Sequence, residues 1–209
     1  DWENFEENLK WIKLKLNENK CISVPLALCS FFDNPGMQKK CAQIYTNDRF
    51  PYKNVLGELK KYKKKNKIRI GYFSGDFRDH PVGYLVTEIF EMHDKSKFEL
   101  FAFSLSKEIK SKIRSRIEKA FDEFIDVSGY EDKKVAIIAR EKEIDIAIDL
   151  GGYTKNSRPE IFSMRAAPIQ INFLGYPGTL GANYIDYNIA DHTVISQESI
   201  QYFSEKIIY

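Results

Sequence analysis

Residues 68–93 read IRIGYFSGDFRDHPVGYLVTEIFEMH, and this stretch decides the fold because two different patterns meet in it. The first part, 68–74, is a nearly unbroken apolar run, as in strands that are buried on both faces of a parallel sheet. From Pro81 to His93 the pattern is that of an amphipathic helix, and proline favours the first turn of a helix. The stretch therefore predicts a strand, a loop at 75–80 and a helix.

The same order of strand and helix recurs along the rest of the chain. Further strands are predicted at 98–105, 122–128, 144–150, 168–174 and 184–190, and further helices at 108–120 and 132–143. Strands that alternate with amphipathic helices form parallel βαβ units, with helices on both faces of an open sheet. The predicted fold class is therefore α/β: a Rossmann-like, doubly wound, mainly parallel sheet, with the usual strand order 3-2-1-4-5.

A helical pattern precedes the sheet. The first helix is predicted from apolar residues that step by three and four, namely Trp2, Phe5, Leu9, Ile12 and Leu16. A short second helix begins at Pro25, and a third begins at DNP, residues 33–35, which supplies an Asx cap and a first-turn proline. The chain is therefore divided into a helical segment at 1–59, a basic linker at 60–67 (KKYKKKNK) and a Rossmann-like domain at 68–209.

Composition excludes several classes of protein. A net charge of +2 and a hydrophobic fraction of 43% argue against disorder and against a nucleic-acid-binding surface, so the lysine run is interpreted as a solvated linker. Cys21, Cys29 and Cys41 lack the spacing of zinc ligands and are expected to be buried thiols in a reducing compartment. The sequence shows no apolar run of membrane length and no signal segment. The predicted location is the cytoplasm, with neither nucleic acid nor a membrane as partner.

Three loops with candidate functional residues follow the first, fourth and fifth strands, which are neighbours in the predicted order. They are SGDFRDHP (74–81), DLGGYTKNSRPE (149–160) and LGYPGTLGA (174–182). Ligands of open parallel sheets bind beyond the carboxyl ends of the strands, where the strand order reverses. The three loops are therefore expected to line one crevice, with Asp76 and Asp149 at the same edge.

The residue types in these loops suit a polar, anionic ligand. The glycines at 151–152, 175 and 178 let backbone N–H groups approach a substrate. His80 stands at the start of a helix, where the dipole favours a neutral imidazole. A neutral imidazole serves as a general base or as an uncharged hydrogen-bond donor.

Each of these features has a structural alternative. Glycines after strands make turns, Asp149 can cap the turn that follows its strand, and His80 can cap its helix. Tyr153 and Tyr176 can be packing residues, while His93, at a helix end, is expected on the surface. The sequence lacks GxxxxGK[ST], GxSxG and a GxGxxG after the first strand, which argues against P-loop, α/β-hydrolase and dinucleotide-binding chemistry.

Three segments, RIGYFSGDFRDHPVGYL (69–85), DLGGYTKNSRPEIFSMRAAPIQINFLGYPGTLGANYIDYNIAD (149–191) and SEKIIY (204–209), closely resemble the protein O-linked N-acetylglucosamine transferases, including SPINDLY-related and bacterial members. Residues 25–51 are similar to the helices that join tetratricopeptide repeats to the catalytic region of these enzymes. The resemblance implies a GT-B architecture, in which two Rossmann-like domains face each other across a cleft. This chain resembles the N-terminal domain and is expected to stop before the C-terminal nucleotide-sugar domain.

The resemblance also implies roles for particular residues. His80 matches the active-site histidine of the family motif DF..HP. The substrate-binding residues implied on the acceptor side are Asp76, Asp149, Gly152, Tyr153, Thr154, Gly175, Tyr176, Pro177, Gly178 and Thr179. Tyr84 departs from the family, because many relatives have a second histidine there. Tyr153 favours N-acetylglucosamine as the sugar, since SPINDLY-type fucosyltransferases tend to have GHT in place of GYT.

The expected function is transfer of N-acetylglucosamine from UDP-N-acetylglucosamine to Ser or Thr hydroxyl groups of proteins. The nucleotide sugar is expected to bind mainly to the C-terminal domain, so this chain alone should fold but remain inactive. Neither a metal nor a cofactor is expected. Two alternatives remain open: the same scaffold with another donor, such as a fucosyl or glucosyl donor, and a non-catalytic peptide-binding module.

Overall fold

The computed structural model describes residues 3–60, 62–63, 65–107 and 110–209. The helices are α1 (Phe5–Asn17), α2 (Pro25–Cys29), α3 (Pro35–Arg49), α4 (Pro81–Met92), α5 (Lys112–Ala120), α6 (Asp132–Glu141) and α7 (Glu160–Ser163), with a 3-10 helix at Gln197–Tyr202. The strands are β1 (Ile68–Ser74), β2 (Phe98–Ser104), β3 (Glu123–Asp126), β4 (Ile146–Asp149), β5 (Ile169–Phe173), β6 (Tyr187–Ile189) and β7 (Lys206–Ile208).

The strands form one sheet in the order β3-β2-β1-β4-β5-β6-β7, and every neighbouring pair is parallel. The predicted fold class and strand order are confirmed. From β1 the chain proceeds outward through β2 to β3, and then returns to the other side of β1 with β4. The order therefore reverses between β1 and β4, which is where such sheets open a crevice for ligands.

Some predicted elements extend beyond the observed ones. The strand predicted at 144–150 pairs only over Ile146–Asp149, although Ile144 is fully buried beneath the sheet. Burial, and not pairing, produced the apolar pattern at this residue. The helix predicted at 108–120 starts at Lys112, where the Ser111 side chain accepts the N–H of Arg114. Trp2, Lys61, Lys64, Glu108 and Ile109, on which parts of these predictions rest, lie outside the described residues.

Apolar side chains of the sheet alternate between two cores because neighbouring residues of a strand point to opposite faces. On one face, Phe73 stacks on Phe103 at a ring-centroid distance of 4.3 Å. On the other face, Tyr72 packs edge-on against Phe90 of α4 at 4.8 Å. The sheet is thus covered on both faces, as its nearly continuous apolar strands predict.

Helix α3 connects the helical segment to the sheet. Asn34 caps α3 by accepting the N–H of Met37 at 2.9 Å, as the DNP sequence predicts. One side of α3 contributes Cys41 to a small core with Leu16 and Leu28. Burial raises the pKa of Cys41 to about 12, so its thiol is protonated. Cys21 and Cys29 are only half-buried.

The opposite side of α3 packs against the loops that follow β4 and β5. Thr46 of this side is buried and its hydroxyl donates to the carbonyl of Leu180 at 2.6 Å. The described residues include no helix with the length and apolarity needed to cross a membrane.

Candidate active site at the carboxyl edge of the sheet

His80 is the N-cap residue of α4. Its Nδ1 accepts the N–H of Val82 at 3.3 Å and lies 3.6 Å from Oδ2 of Asp76. A neutral imidazole that accepts through Nδ1 carries its proton on Nε2. The His80 side chain is 35% exposed, so this Nε2–H is available to a ligand in the crevice. Of the two roles open to His80, this hydrogen bond favours the uncharged donor over the base.

The loop that presents His80 is held by buried polar groups. Asp76 accepts from Arg78 Nη2 at 2.8 Å, and its backbone N–H donates to Oγ of Ser74 at 2.9 Å. The buried side chain of Arg114 donates from Nη1 to the carbonyl of Phe77 at 3.2 Å. Asp76 thus supports the loop through Arg78. The role of Arg114 could not be predicted from the sequence, because a helical pattern does not indicate which arginine hydrogen-bonds to a distant loop.

Asp149, at the end of β4, is completely buried. Its Oδ1 accepts the N–H of Gly151 at 2.8 Å. Burial raises the pKa of Asp149 to about 6, although this bond and the N–H of Gly152 act in the opposite direction. In the loop that follows, Thr154 Oγ1 donates to the carbonyl of Gly151 at 2.7 Å. The geometry of Asp149 is that of a turn cap, which is the structural alternative to substrate binding.

Tyr153 and Tyr176 both point into the protein. Tyr153 donates from its hydroxyl to the carbonyl of Leu180 at 2.6 Å and also contacts the hydroxyl of Thr46. Tyr176 is 2% exposed, packs edge-on against Tyr153, and has its hydroxyl 4.0 Å from Sγ of Cys29. Burial raises the pKa of both phenols above the ordinary value. The two tyrosines therefore act as packing residues that join α3 to the second and third loops.

Two glycines are required by this close packing. Gly152 has a φ of +56°, and a Cβ there would lie 2.5 Å from Cβ of Tyr176. Gly175 brings its backbone onto β4: a Cβ would lie 1.9 Å from the carbonyl oxygen of Leu150. Gly152 and Gly175 thus allow the second and third loops to touch. Gly178 makes a close approach within the third loop, where a Cβ would lie 2.7 Å from Oη of Tyr176.

A buried carboxylate that sequence reasoning missed anchors the third loop. Glu205 accepts from Oγ1 of Thr179 and from the N–H of Leu180, both at 2.7 Å, and from the N–H of Ser204 at 3.1 Å. Burial raises its pKa, while these donors act in the opposite direction. Thr179 is 4% exposed and its hydroxyl is thus occupied. The candidate residues left with accessible surface are His80, Thr154, Gly175, Pro177 and Gly178.

The structure corrects the expectation for His93. Its Nε2 lies 2.7 Å from the hydroxyl of Tyr72, and the ring is half-buried. Burial lowers the pKa of His93, so the imidazole is neutral at pH 7. His192, by contrast, stacks on Tyr209 at a ring-centroid distance of 3.8 Å.

Among the residues that the structure describes, no group of three or more His, Cys, Asp or Glu side chains could hold a metal ion.

A parallel sheet with a helix-capping histidine and two glycine-rich loops at its carboxyl edge defines a Rossmann-like domain of the ligand-binding type. The chain belongs to glycosyl transferase family 41, whose sequence profile matches residues 40–209. This match confirms the family that the sequence motifs indicate.

Individual relatives agree with this membership. The chain is 41% identical over 143 residues to a protein of Arabidopsis thaliana named probable UDP-N-acetylglucosamine--peptide N-acetylglucosaminyltransferase SEC, covering 68% of this chain and 15% of the relative. It is 40% identical over 144 residues to the Caenorhabditis elegans UDP-N-acetylglucosamine--peptide N-acetylglucosaminyltransferase, covering 68% and 12%. A mutant form of the O-GlcNAc transferase of Thermobaculum terrenum has the same fold, with a TM-score of 0.75 and 26% identity over 84% of this chain and 34% of that chain. The chain thus spans only a small part of the curated relatives.

Asp149 predicts a pH dependence of stability. Its pKa is 3.8 when unperturbed and about 6 in the folded chain, so folding retains a proton that the unfolded chain releases between these values. The stabilisation is complete below the unfolded pKa and is lost as pH rises through about 6. We expect this group to lower the free energy of unfolding by about 3 kcal/mol across that window.

Urea unfolding of the wild-type chain and of Asp149→Asn, measured from pH 4 to pH 7, tests this expectation. The asparagine side chain retains an oxygen for the Gly151 N–H but does not titrate. The free energy of unfolding of the variant should therefore not show the decrease that Asp149 causes as the pH rises. An equal fall in both proteins would show that Asp149 does not carry the proton.

Proposed function

We propose that the parent protein transfers N-acetylglucosamine from UDP-N-acetylglucosamine to Ser or Thr hydroxyl groups of proteins, and that this chain supplies the acceptor side of the cleft. The observation that carries the proposal is the position of His80: a partly exposed imidazole that caps α4 at the switch point of the sheet, on the same edge as the two glycine-rich loops. Membership of glycosyl transferase family 41, and relatives named as peptide N-acetylglucosaminyltransferases, support the choice of reaction.

In the proposed reaction, the acceptor oxygen forms a bond to the anomeric carbon while the bond from that carbon to the diphosphate breaks. Such a displacement passes through an oxocarbenium-like state, as in glycoside cleavage. The Nε2–H of His80 donates to the acceptor or sugar oxygen and holds it in line, because its Nδ1 is fixed by Val82. The leaving diphosphate takes up the hydroxyl proton, because the Nδ1 lone pair of His80 is already engaged.

The nucleotide and its diphosphate are proposed to bind mainly to a second, C-terminal domain, with no metal or cofactor. This chain contributes the loops that follow β1, β4 and β5. Pro177, Gly178 and Thr154 provide accessible surface for the acceptor on the sheet edge that His80 shares, whereas Tyr153, Tyr176 and Thr179 stabilise the loops from the protein interior. We propose the cytoplasm as the location of the protein.

A donor screen on the full-length protein tests the proposed function. The protein is incubated with a peptide pool and, separately, with UDP-N-acetylglucosamine, UDP-glucose and GDP-fucose, and intact peptide masses are measured. We expect a mass increment of one N-acetylhexosamine on peptides that contain Ser or Thr, and none from the isolated chain 1–209. Transfer of fucose or glucose instead would show that the proposed donor is wrong. Peptide binding without transfer from any donor would favour a non-catalytic peptide-binding module.

A further inference from the structure

A cavity of about 390 Å³ opens at the carboxyl ends of β5 and β6, beside the third loop. Most of its lining is apolar and comes from the ends of both strands and the turn after β6: Phe173, Leu174, Tyr176, Pro177, Ile189 and Val194. Val194 is 60% exposed and Leu174 37% exposed, so apolar surface at the rim of the cavity is accessible to a ligand. Its volume is that of a small ligand pocket.

The polar groups of this cavity restrict what it can hold. Asp191 is already occupied, because its Oδ1 accepts the N–H groups of Thr193 and Val194, both at 2.8 Å. Neither lysine nor arginine is among the residues that line the cavity. A phosphate or another anion would therefore have no cationic partner there. The lining suits an aliphatic group.

Asn188 is the one uncommitted polar residue in the described lining. It is 4% exposed, and no group in the described part of the chain hydrogen-bonds to its side-chain amide. Asn188 pairs in register with Asn172 of β5, whose buried Oδ1 also has no hydrogen-bond partner. The Asn188 amide is therefore free to hydrogen-bond to a ligand in the cavity, as donor or as acceptor. An amide at the base of an apolar cavity matches a polypeptide, which offers a backbone N–H or C=O next to an apolar side chain.

We propose that this cavity, formed by the ends of β5 and β6 and named here the β5–β6 subsite, binds an aliphatic side chain of the acceptor polypeptide, with Asn188 hydrogen-bonded to the neighbouring backbone. The proposal rests on the proposed function, since it extends the acceptor side of the same cleft. Pro177 and Tyr176 form a wall of the cavity and belong to the loop after β5, which lies on the same edge of the sheet as His80, so one extended chain along this edge can reach both places.

The sheet sets the distance between the subsite and the reacting hydroxyl. Three strand spacings separate β1, which leads to His80, from β6. Neighbouring strands lie about 4.8 Å apart, so the separation is roughly 14 Å, and an extended peptide advances about 3.3 Å per residue. The aliphatic residue therefore lies about four residues from the acceptor Ser or Thr.

A peptide series assayed with the full-length enzyme tests the subsite. Each peptide has a single Ser in an uncharged background, with Leu placed at one position from five residues before to five residues after it, and Gln as the matched residue. We expect Leu about four residues from the Ser to lower KM about tenfold relative to Gln, with little change in kcat.

The variant Val194→Asp should abolish this preference, because it places a charge at the rim of the apolar cavity. Met92→Asp is the matched control: Met92 is 76% exposed at the end of α4 and should leave the preference unchanged. Binding of the same peptides, measured by fluorescence anisotropy, provides a readout that does not require transfer.

The outcomes separate the two proposals. Failure of every peptide to accept sugar from any donor would overturn the proposed function, while a Leu preference in binding that Val194→Asp removes would still support the subsite. A preference that is absent, or that Val194→Asp leaves intact, would overturn the subsite alone. Equal loss of transfer to all peptides in Val194→Asp would also overturn it, and would indicate that another part of the enzyme occupies the cavity.

Discussion

Gly175→Ala is expected to destabilise the folded chain more than any other single-methyl addition in the three loops. The new Cβ would lie 1.9 Å from the carbonyl oxygen and 2.8 Å from the carbonyl carbon of Leu150. Both are backbone atoms directly after β4. The clash can therefore be removed only if the second and third loops move apart. Overpacking costs about 1–3 kcal/mol and occasionally more, and we expect a value of at least about 3 kcal/mol. For a chain of this size, that lowers the melting temperature by roughly 6–12 °C.

Thermal and urea unfolding, followed by circular dichroism, measure the effect. Gly129→Ala is the matched control, because a Cβ at Gly129 meets no atom within 4 Å and its backbone is not left-handed. That variant should unfold like the wild type or slightly later, since alanine restricts the unfolded chain. Equal stability of Gly175→Ala and Gly129→Ala would mean that the two loops do not touch as described.

The second large effect concerns His80 in the full-length enzyme. We expect His80→Ala to lower kcat/KM by roughly a hundred- to thousandfold, the range found when one donor to a transition state is removed. Helix capping complicates this comparison, because Nδ1 of His80 also accepts the N–H of Val82. Loss of an N-cap costs about 1 kcal/mol of stability but need not affect the rate.

His80→Asn separates the two roles. Asparagine is among the best N-cap residues, so this variant should unfold like the wild type while it lacks the imidazole. We expect its activity to be as low as that of His80→Ala. His192→Ala, whose ring stacks on Tyr209 away from α4, should retain activity. Wild-type activity of His80→Asn would show that the histidine only caps its helix and would remove it from the active site.

The strands, the main helices and the cap residues could be predicted from the sequence because their signals are local, and the strand order followed from the usual order of doubly wound sheets. The apolar run at 68–74 and the helical pattern after Pro81 each depend on residues a few positions apart. The caps at Asn34 and His80 follow from the proline that comes next. The predicted strand order and the predicted helix start at Pro81 were enough to place His80 and the two glycine-rich loops at one edge of the sheet.

What each residue does at that edge was decided only by contacts between distant parts of the chain. Tyr153 occurs in a loop motif, yet its hydroxyl donates a hydrogen bond to the carbonyl of Leu180 and contacts Thr46 of α3. Glu205 looks like an ordinary surface carboxylate in the sequence, yet it is buried and holds the third loop by two hydrogen bonds, from Thr179 and Leu180. No local pattern encodes such partners, because burial and hydrogen bonding depend on which segments the fold brings together. The sequence therefore predicted a candidate site, and tertiary packing divided its residues into those with accessible surface and those that support the loops.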